Sequence, residues 1–275
     1  MSAAWDPEQY LRFADERSRP FEDLLARVGR TGGIGSRGGA DQPVPALVVD
    51  LGCGPGNLTA SLSDRWPSAR VVGVDSSPEM VERASSLARP GRLEFVAGDL
   101  RCFEPDGPVD VLVSAATLQW VPGHVELFGR FLSWLAPGGC FAFHVPGNFD
   151  QPSHVLLHEL ATSDRWRDRL AAAVESEPSS LGPAVYLRAL LDAGASAVDV
   201  WETTYFHLLQ GHDAVLEWIK GTGLRPVLGA LGEGPDRAEF LASYGAALRA
   251  AYPRDEEDRT VFPFRRIFAV AWRGA

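Results

Sequence analysis

Apolar positions in this chain come in short runs divided by polar and glycine-rich breaks. Ala46-Leu47-Val48-Val49, Val71-Val72-Gly73-Val74, Leu93-Glu94-Phe95-Val96-Ala97, the run 109–116 and the run 140–145 each have the length and composition of a buried strand. Two longer runs, 197–209 and 264–272, predict strands near the carboxyl end. Between the runs the period becomes helical. Residues 57–65 follow the first run, and residues 78–88 open with Ser77 as a cap and Pro78 in the first turn. Residues 124–135 place Val125, Leu127, Phe128, Phe131, Leu132 and Leu135 at helical spacing, and residues 183–193 stop at Gly194. Leu135-Ala136-Pro137-Gly138-Gly139 reads as a helix stop before the fifth strand. Strands alternating with helices predict an α/β fold with a doubly wound, mostly parallel sheet.

Other segments fall outside that alternation. Residues 1–28 read as a helical opening segment, and residues 30–43 as a glycine-rich surface loop. Residues 147–182 and 211–258 read as largely helical insertions after the fifth and sixth strands. Ligands of open α/β sheets lie beyond the carboxyl ends of the strands. These insertions and the opening segment are therefore expected to cap a ligand site within a single domain spanning 1–275.

Composition narrows the function classes. With 275 residues and 45% hydrophobic content, the chain can bury one large core. A formal charge of −10 argues against a nucleic-acid partner, which demands a basic face. No apolar run approaches the roughly 20 residues of a membrane span, and no basic-then-apolar leader opens the chain. A cytoplasmic protein without a membrane partner is expected. Cys53, Cys102 and Cys140 have no paired spacing and read as free thiols. His154 and His158 are four apart, but no acid or cysteine completes a ligand set nearby, so no metal is expected. The acidic run Asp255-Glu256-Glu257-Asp258 reads as a solvated loop.

The most informative chemistry is in Asp50-Leu51-Gly52-Cys53-Gly54-Pro55-Gly56, at the end of the first run. Glycines there admit a closely approaching ligand and backbone angles closed to other residues. A dinucleotide fingerprint would need its third glycine at Asn57, one residue later than Gly56. A Walker-type loop would need a Lys-Ser/Thr pair, and the only lysine in the chain is Lys220. Asp75 ends the second run, where a carboxylate suits the two hydroxyls of a ribose.

The Asp-x-Gly-x-Gly-x-Gly form resembles the first motif of class I S-adenosylmethionine-dependent methyltransferases. Gly98-Asp99-Leu100 after the third strand, Thr117-Leu118-Gln119-Trp120 after the fourth, and the Pro137-Gly138-Gly139 break continue the likeness. The resemblance implies a seven-stranded sheet closed by an antiparallel pair, with S-adenosylmethionine as cofactor. It implies a cofactor site built from Asp50, Gly52, Gly54, Gly56, Asn57, Asp75, Ser76, Met80, Asp99, Leu100, Ala115 and Gln119. In it Asp99 accepts from the adenine amino group, and Leu100 packs on the ring.

A narrower resemblance covers nearly the whole chain. The segments 5–13, 16–20, 118–124, 145–148, 152–156, 201–207, 222–226 and 264–271 are similar to trans-aconitate 2-methyltransferases. The connection at 30–43 is longer than that family's, and Pro263-Phe264-Arg265-Arg266 replaces a shorter proline-arginine pair. Register favours Arg266 over Arg265 as the residue facing the site. The resemblance implies methyl transfer to one carboxylate of trans-aconitate, a small carboxylic acid. Methylation of another small acid or nucleophile, or cofactor binding without turnover, are the alternatives. A carboxylate reaches the site ionised, so alignment matters more than a base. His124 is the one candidate catalytic residue. Arginine forks suit the remaining carboxylates. Arg17, Arg19, Arg225 and Arg266, with Trp5, Tyr10, Trp120, Asn148, His154 and Tyr205, are the candidate acceptor residues.

Overall fold

The computed structural model describes residues 14–28, 44–175 and 180–274, except for the side chains of residues 14–17 and 175. The expected loop at 30–43 and the candidates Trp5 and Tyr10 lie outside the described residues. Contacts group the described residues into two compact units, residues 15–28, 44–145, 181–202 and 267–274 in one, and residues 14, 146–175, 180 and 203–266 in the other.

The strands are β1 (Leu47–Leu51), β2 (Arg70–Asp75), β3 (Leu93–Ala97), β4 (Val109–Ala115), β5 (Leu135–Pro146), β6 (Ala197–Gln210) and β7 (Arg259–Trp272). They form one sheet in the order β3-β2-β1-β4-β5-β7-β6. β1 pairs in parallel with β2 and β4, β2 with β3, and β4 with β5. β1 lies centrally and is buried along its whole length, which is why its run is unbroken by polar residues before Asp50. β7 is antiparallel to both neighbours. Gly138 N donates to Gly274 O and Gly147 N to Arg265 O on one side; Ser196 N donates to Trp272 O and Gly211 N to Asp258 O on the other. The closing antiparallel strand is thus present.

In the first unit the described helices are α1 (Ala14–Leu25), α2 (Asn57–Arg65), α3 (Pro78–Ser85), α4 (Phe128–Trp134) and α7 (Pro183–Asp192). Its core is aromatic where α4 and α7 meet β5. Phe128, Phe141, Phe143 and Tyr186 are fully buried, with Phe143 and Tyr186 edge-on at 5.2 Å. The second unit contains α5 (Pro152–Ala161), α6 (Arg167–Glu175), α8 (Ala214–Lys220), α9 (Arg225–Leu231) and α10 (Pro235–Ala251). Trp166, Trp218, Phe240, Tyr244 and Phe262 form its own core. Tyr244 and Tyr252 fix the start of α5 there, Tyr244 Oη donating to Ser153 O and Tyr252 Oη accepting from Ser153 N. No helix among the described residues is long and apolar enough to cross a membrane.

Three expectations shift in detail. The helix expected over 124–135 is a 3₁₀ turn at His124–Leu127 followed by α4, since Gly123 at φ 68 starts the turn and Leu135 is already extended. The break at 135–139 is part of β5, and a Cβ at Gly139 would lie 2.8 Å from Val109 O, so the glycine serves strand pairing. β7 begins five residues before the apolar run, at Arg259.

Candidate functional site

Four parallel strands end side by side in the first unit, and the turns after β1 to β4 bring the cofactor candidates together. Gly52 N and Cys53 N both donate to Val74 O, at 2.7 and 3.0 Å, and hold the β1 turn against β2. Gly54 N donates to Asp75 Oδ2 at 2.8 Å, and Ser77 N donates to Oδ1 at 2.9 Å. Asp75 is therefore aimed by two backbone amides, and each of its oxygens keeps a lone pair for a ligand. Ser76 and Asn57 are exposed beside it, while Met80 is buried under the first turn of α3.

The three glycines do different work. All have positive φ, at 79, 55 and 83° for Gly52, Gly54 and Gly56. A Cβ on Gly52 would fall 2.1 Å from Thr117 Oγ1, and one on Gly56 would fall 2.8 Å from Ala84 and Phe95. A Cβ on Gly54 would meet nothing within 4 Å. Gly52 and Gly56 let protein pack, whereas Gly54 leaves its space open for a ligand.

Buried polar atoms without protein partners mark the same edge. Asp50 is 2% exposed; Thr59 Oγ1 donates to its Oδ2 at 2.7 Å, while its Oδ1 has no hydrogen-bond partner. Burial, opposed by the Thr59 hydrogen bond and aided by Asp75, pushes the Asp50 carboxyl up to about 7. Gln119 is also buried; its Nε2 donates to Ala116 O at 2.6 Å, and its Oε1 has no partner. Ala116, next to Ala115, sits at φ 51, a conformation uncommon outside glycine. Such orphaned acceptors around an open glycine turn fit a ligand bearing amino and hydroxyl donors, as S-adenosylmethionine does.

Asp99 lies half-buried after β3, with Leu100 buried beside it. Arg101 clasps it: its backbone N donates to Oδ1 at 2.9 Å and its Nε to both oxygens at 3.0 Å. The Arg101 hydrogen bond, the largest influence, holds the Asp99 carboxyl below its ordinary range.

His124 is enclosed by protein. It is 5% exposed, its Nδ1 lies 3.1 Å from Val121 O, and its Nε2 lies 2.9 Å from Tyr186 Oη. The Val121 carbonyl can only accept, so Nδ1 carries the proton and Nε2 accepts from Tyr186. Both nitrogens are spent on packing, and burial lowers the pKa of the ring. The candidate catalytic histidine is a core residue.

The acceptor candidates are divided. Trp120 is half-buried in the 3₁₀ turn after β4, and Arg19 is exposed on α1. Arg17 lies on α1, its side chain outside the described set. The others lie in the second unit. Arg266 is 5% exposed, with its guanidinium 4.8 Å above the Phe264 ring. Arg265 instead donates to Gly147 O at 2.5 Å and reaches Asp150 at 3.3 Å, tying down the loop after β5. Of the two arginines that register compared, Arg266 is the buried one and Arg265 is half-buried. In that loop Asn148 is 1% exposed, and neither Oδ1 nor Nδ2 has a partner. His154 packs edge-on to Phe149 at 5.0 Å, and its Nε2 lies 3.4 Å from where a Cβ of Gly223 would be. Arg225 opens α9, half-buried, and Tyr205 is 2% exposed on β6. Sequence reasoning missed Thr59, Arg101 and Thr117. Only Arg101, two residues from Asp99, carried a local signal.

A family described as a methyltransferase domain matches residues 48–139, the stretch from β1 into β5. Trans-aconitate 2-methyltransferase of Streptomyces avermitilis is 54% identical, over 99% of this chain and 98% of its own. Its counterparts in Streptomyces coelicolor and Rhodococcus jostii are 55% and 48% identical, each over 97% of this chain and over 86% and 98% of their own. Among solved structures, Haemonchus contortus phosphoethanolamine N-methyltransferase 2 bound to S-adenosylmethionine matches with a TM-score of 0.54 at 15% identity. The match covers 94% of this chain and 53% of that one. The YcgJ protein of Bacillus subtilis matches with a TM-score of 0.56 at 17% identity, over 86% of this chain and 95% of that one.

Proposed function

The chain belongs to the trans-aconitate 2-methyltransferase family, and from that membership we propose that it methylates one carboxylate of trans-aconitate. The products are a monomethyl ester and S-adenosylhomocysteine. S-adenosylmethionine supplies an electrophilic sulfonium methyl. The nucleophile is a carboxylate, ionised above about pH 4 without help. No general base is required, in keeping with a His124 whose nitrogens are both engaged. The protein's work is to hold the reacting oxygen in line at roughly 3–3.5 Å and to keep water out.

Each retained residue has a role that its surroundings support. Asp75 takes the ribose hydroxyls, and Asp99 the adenine amino group, with Leu100 and Met80 as apolar neighbours. Gly54 leaves room for the cofactor, and Gln119 and Asp50 offer acceptors. Arg266 and Arg225 hold carboxylates, since a multiply charged acid near a protein of −10 needs local cations. Asn148 supplies amide donors to the same acid. The observation that carries the reading is near-full-length identity of about half to this family, over a glycine turn that leaves Gly54 open. Incubation with methyl-labelled cofactor and trans-aconitate should yield labelled ester, and citrate and cis-aconitate should yield much less. Label transfer to none of the three acids would overturn the proposal.

A further inference from the structure

Asn148 stands out among the buried polar groups. It is 1% exposed, and neither its Oδ1 nor its Nδ2 has a hydrogen-bond partner. Among the described residues it alone is buried with two such atoms; Asp50 and Gln119 each leave one oxygen unmet while their other polar atom is bonded. The loop that carries it is tied down within the second unit. Gly147 N donates to Arg265 O at 2.9 Å, Arg265 Nε donates back to Gly147 O at 2.5 Å, and Gln151 N donates to Asn148 O at 3.1 Å. Arg265 also reaches Asp150 at 3.3 Å. A loop fixed on both sides of Asn148 holds the amide inside, and a buried amide with both ends unmet is costly unless a ligand meets it.

A primary amide presents a donor and an acceptor side by side in one plane. Its complement carries an acceptor and a donor in the same arrangement. An ionised carboxylate has acceptors only: it takes a hydrogen bond from Nδ2 and turns a second negative oxygen toward Oδ1. A protonated carboxyl would match, but it is scarce well above about pH 4. A carboxamide matches at any ordinary pH, its C=O accepting from Nδ2 and its NH₂ donating to Oδ1. We infer that Asn148 fits this enzyme to a further class of acceptor, small polycarboxylic acids in which one carboxyl is replaced by a carboxamide. A free carboxylate oxygen of the same molecule takes the methyl, the S–CH₃ bonding pair returns to sulfur, and the carboxamide stays intact. The inference rests on the acceptor site proposed above, in which Arg266 and Arg225 hold charged groups; Asn148 takes the uncharged one.

The probes are the monoamides of trans-aconitic acid, each with a different carboxyl converted to a carboxamide, given to the intact protein with methyl-labelled S-adenosylmethionine. The isomer that sets its carboxamide on Asn148 should exceed trans-aconitate in kcat/KM by about two- to tenfold, the worth of one added neutral hydrogen bond. The remaining isomers, which lose a carboxylate needed elsewhere, should fall well below it. Asn148→Leu removes both polar atoms at similar volume and should erase the favoured isomer's advantage over trans-aconitate. Asn148→Ser, whose single hydroxyl is too short to meet both groups, should do the same if Asn148→Leu fails to fold. If no monoamide equals trans-aconitate in the wild type, or if the advantage persists in both variants, the inference is overturned. Label on neither the amides nor trans-aconitate would instead overturn the proposed function on which it rests.

Discussion

The backbone amide of Gly54 donates to Asp75 Oδ2 at 2.8 Å, joining the glycine turn after β1 to the tip of β2 across 21 positions of sequence. With the Ser77 amide on the other oxygen, it fixes the plane of the carboxylate before any ligand arrives. Hydrogen bonds to a charged group each contribute about 1.5–3 kcal/mol. Asp75→Ala should therefore weaken cofactor binding by well over tenfold and loosen the turn, while the sheet survives. Calorimetry with S-adenosylhomocysteine, checked by circular dichroism, measures both. Unchanged affinity would remove Asp75 from the site.

Gly52 and Gly54 separate packing from ligand space. Gly52→Ala adds a carbon 2.1 Å from Thr117, on top of an unfavourable φ, and should destabilise the protein as a whole. Gly54→Ala meets no protein atom and carries only the backbone strain of about 1–2 kcal/mol. It should fold, with a modest loss in melting temperature and a much larger loss in cofactor affinity. If Gly54→Ala binds cofactor normally, the open space in front of the turn is not the cofactor's.

His124 should matter to stability and not to chemistry. His124→Phe leaves the Tyr186 hydroxyl proton without an acceptor in the core and should cost about 1–3 kcal/mol. At saturating cofactor, kcat/KM for the acid should stay nearly flat from about pH 6 to 9 in wild type and variant alike. A wild-type rise with a midpoint near 7 that vanishes in the variant would restore His124 as a base.

His154 gives a pH signature of the opposite kind to a catalytic one. Burial pushes its pKa from 6.5 down to about 4, so between those values the unfolded chain binds the proton and the folded chain does not. Its contribution is complete above about pH 6.5 and is lost as pH falls toward 4. The stability gap between wild type and His154→Gln should therefore narrow on acidification from pH 7 to 4.5, followed by thermal unfolding. A gap that widens would show that a carboxylate, Asp150 being the nearest in charge, pairs with the protonated ring.

Arg266 and Asn148 should govern the acid and leave the cofactor alone. Arg266→Met keeps much of the apolar stem over Phe264 and removes a nearly buried charge. It should raise KM for trans-aconitate at least tenfold, and less for an acid with one fewer carboxylate, with cofactor affinity unchanged. Asn148→Asp puts a negative charge where both amide atoms lack partners and should raise KM further than Asn148→Ser. Equal losses for tri-acid and di-acid would make Arg266 structural.

Much of this protein was legible in its sequence because the signals are local. The apolar runs, the Asp50–Gly56 turn and the Ser77-Pro78 cap each depend on residues within about a turn of one another, so the strands and helices along the chain follow from reading it. That Arg266 is buried and Arg265 is not follows from the alternation of a strand, which is local too.

Tertiary structure alone decided the rest, through contacts between residues far apart in the chain. His124 became a core residue because Tyr186, 62 positions away, takes its second nitrogen. Gly52 proved a packing glycine because Thr117, 65 positions away, bonds to its carbonyl and fills the space of its missing side chain. The closing role of β7 rests on amides in and next to β5 and β6, and the orphaned atoms of Asp50 and Asn148 exist only because burial removes the water that would otherwise satisfy them. Residue type and spacing specify what a side chain can do; which partner or solvent it loses is settled only when distant segments pack.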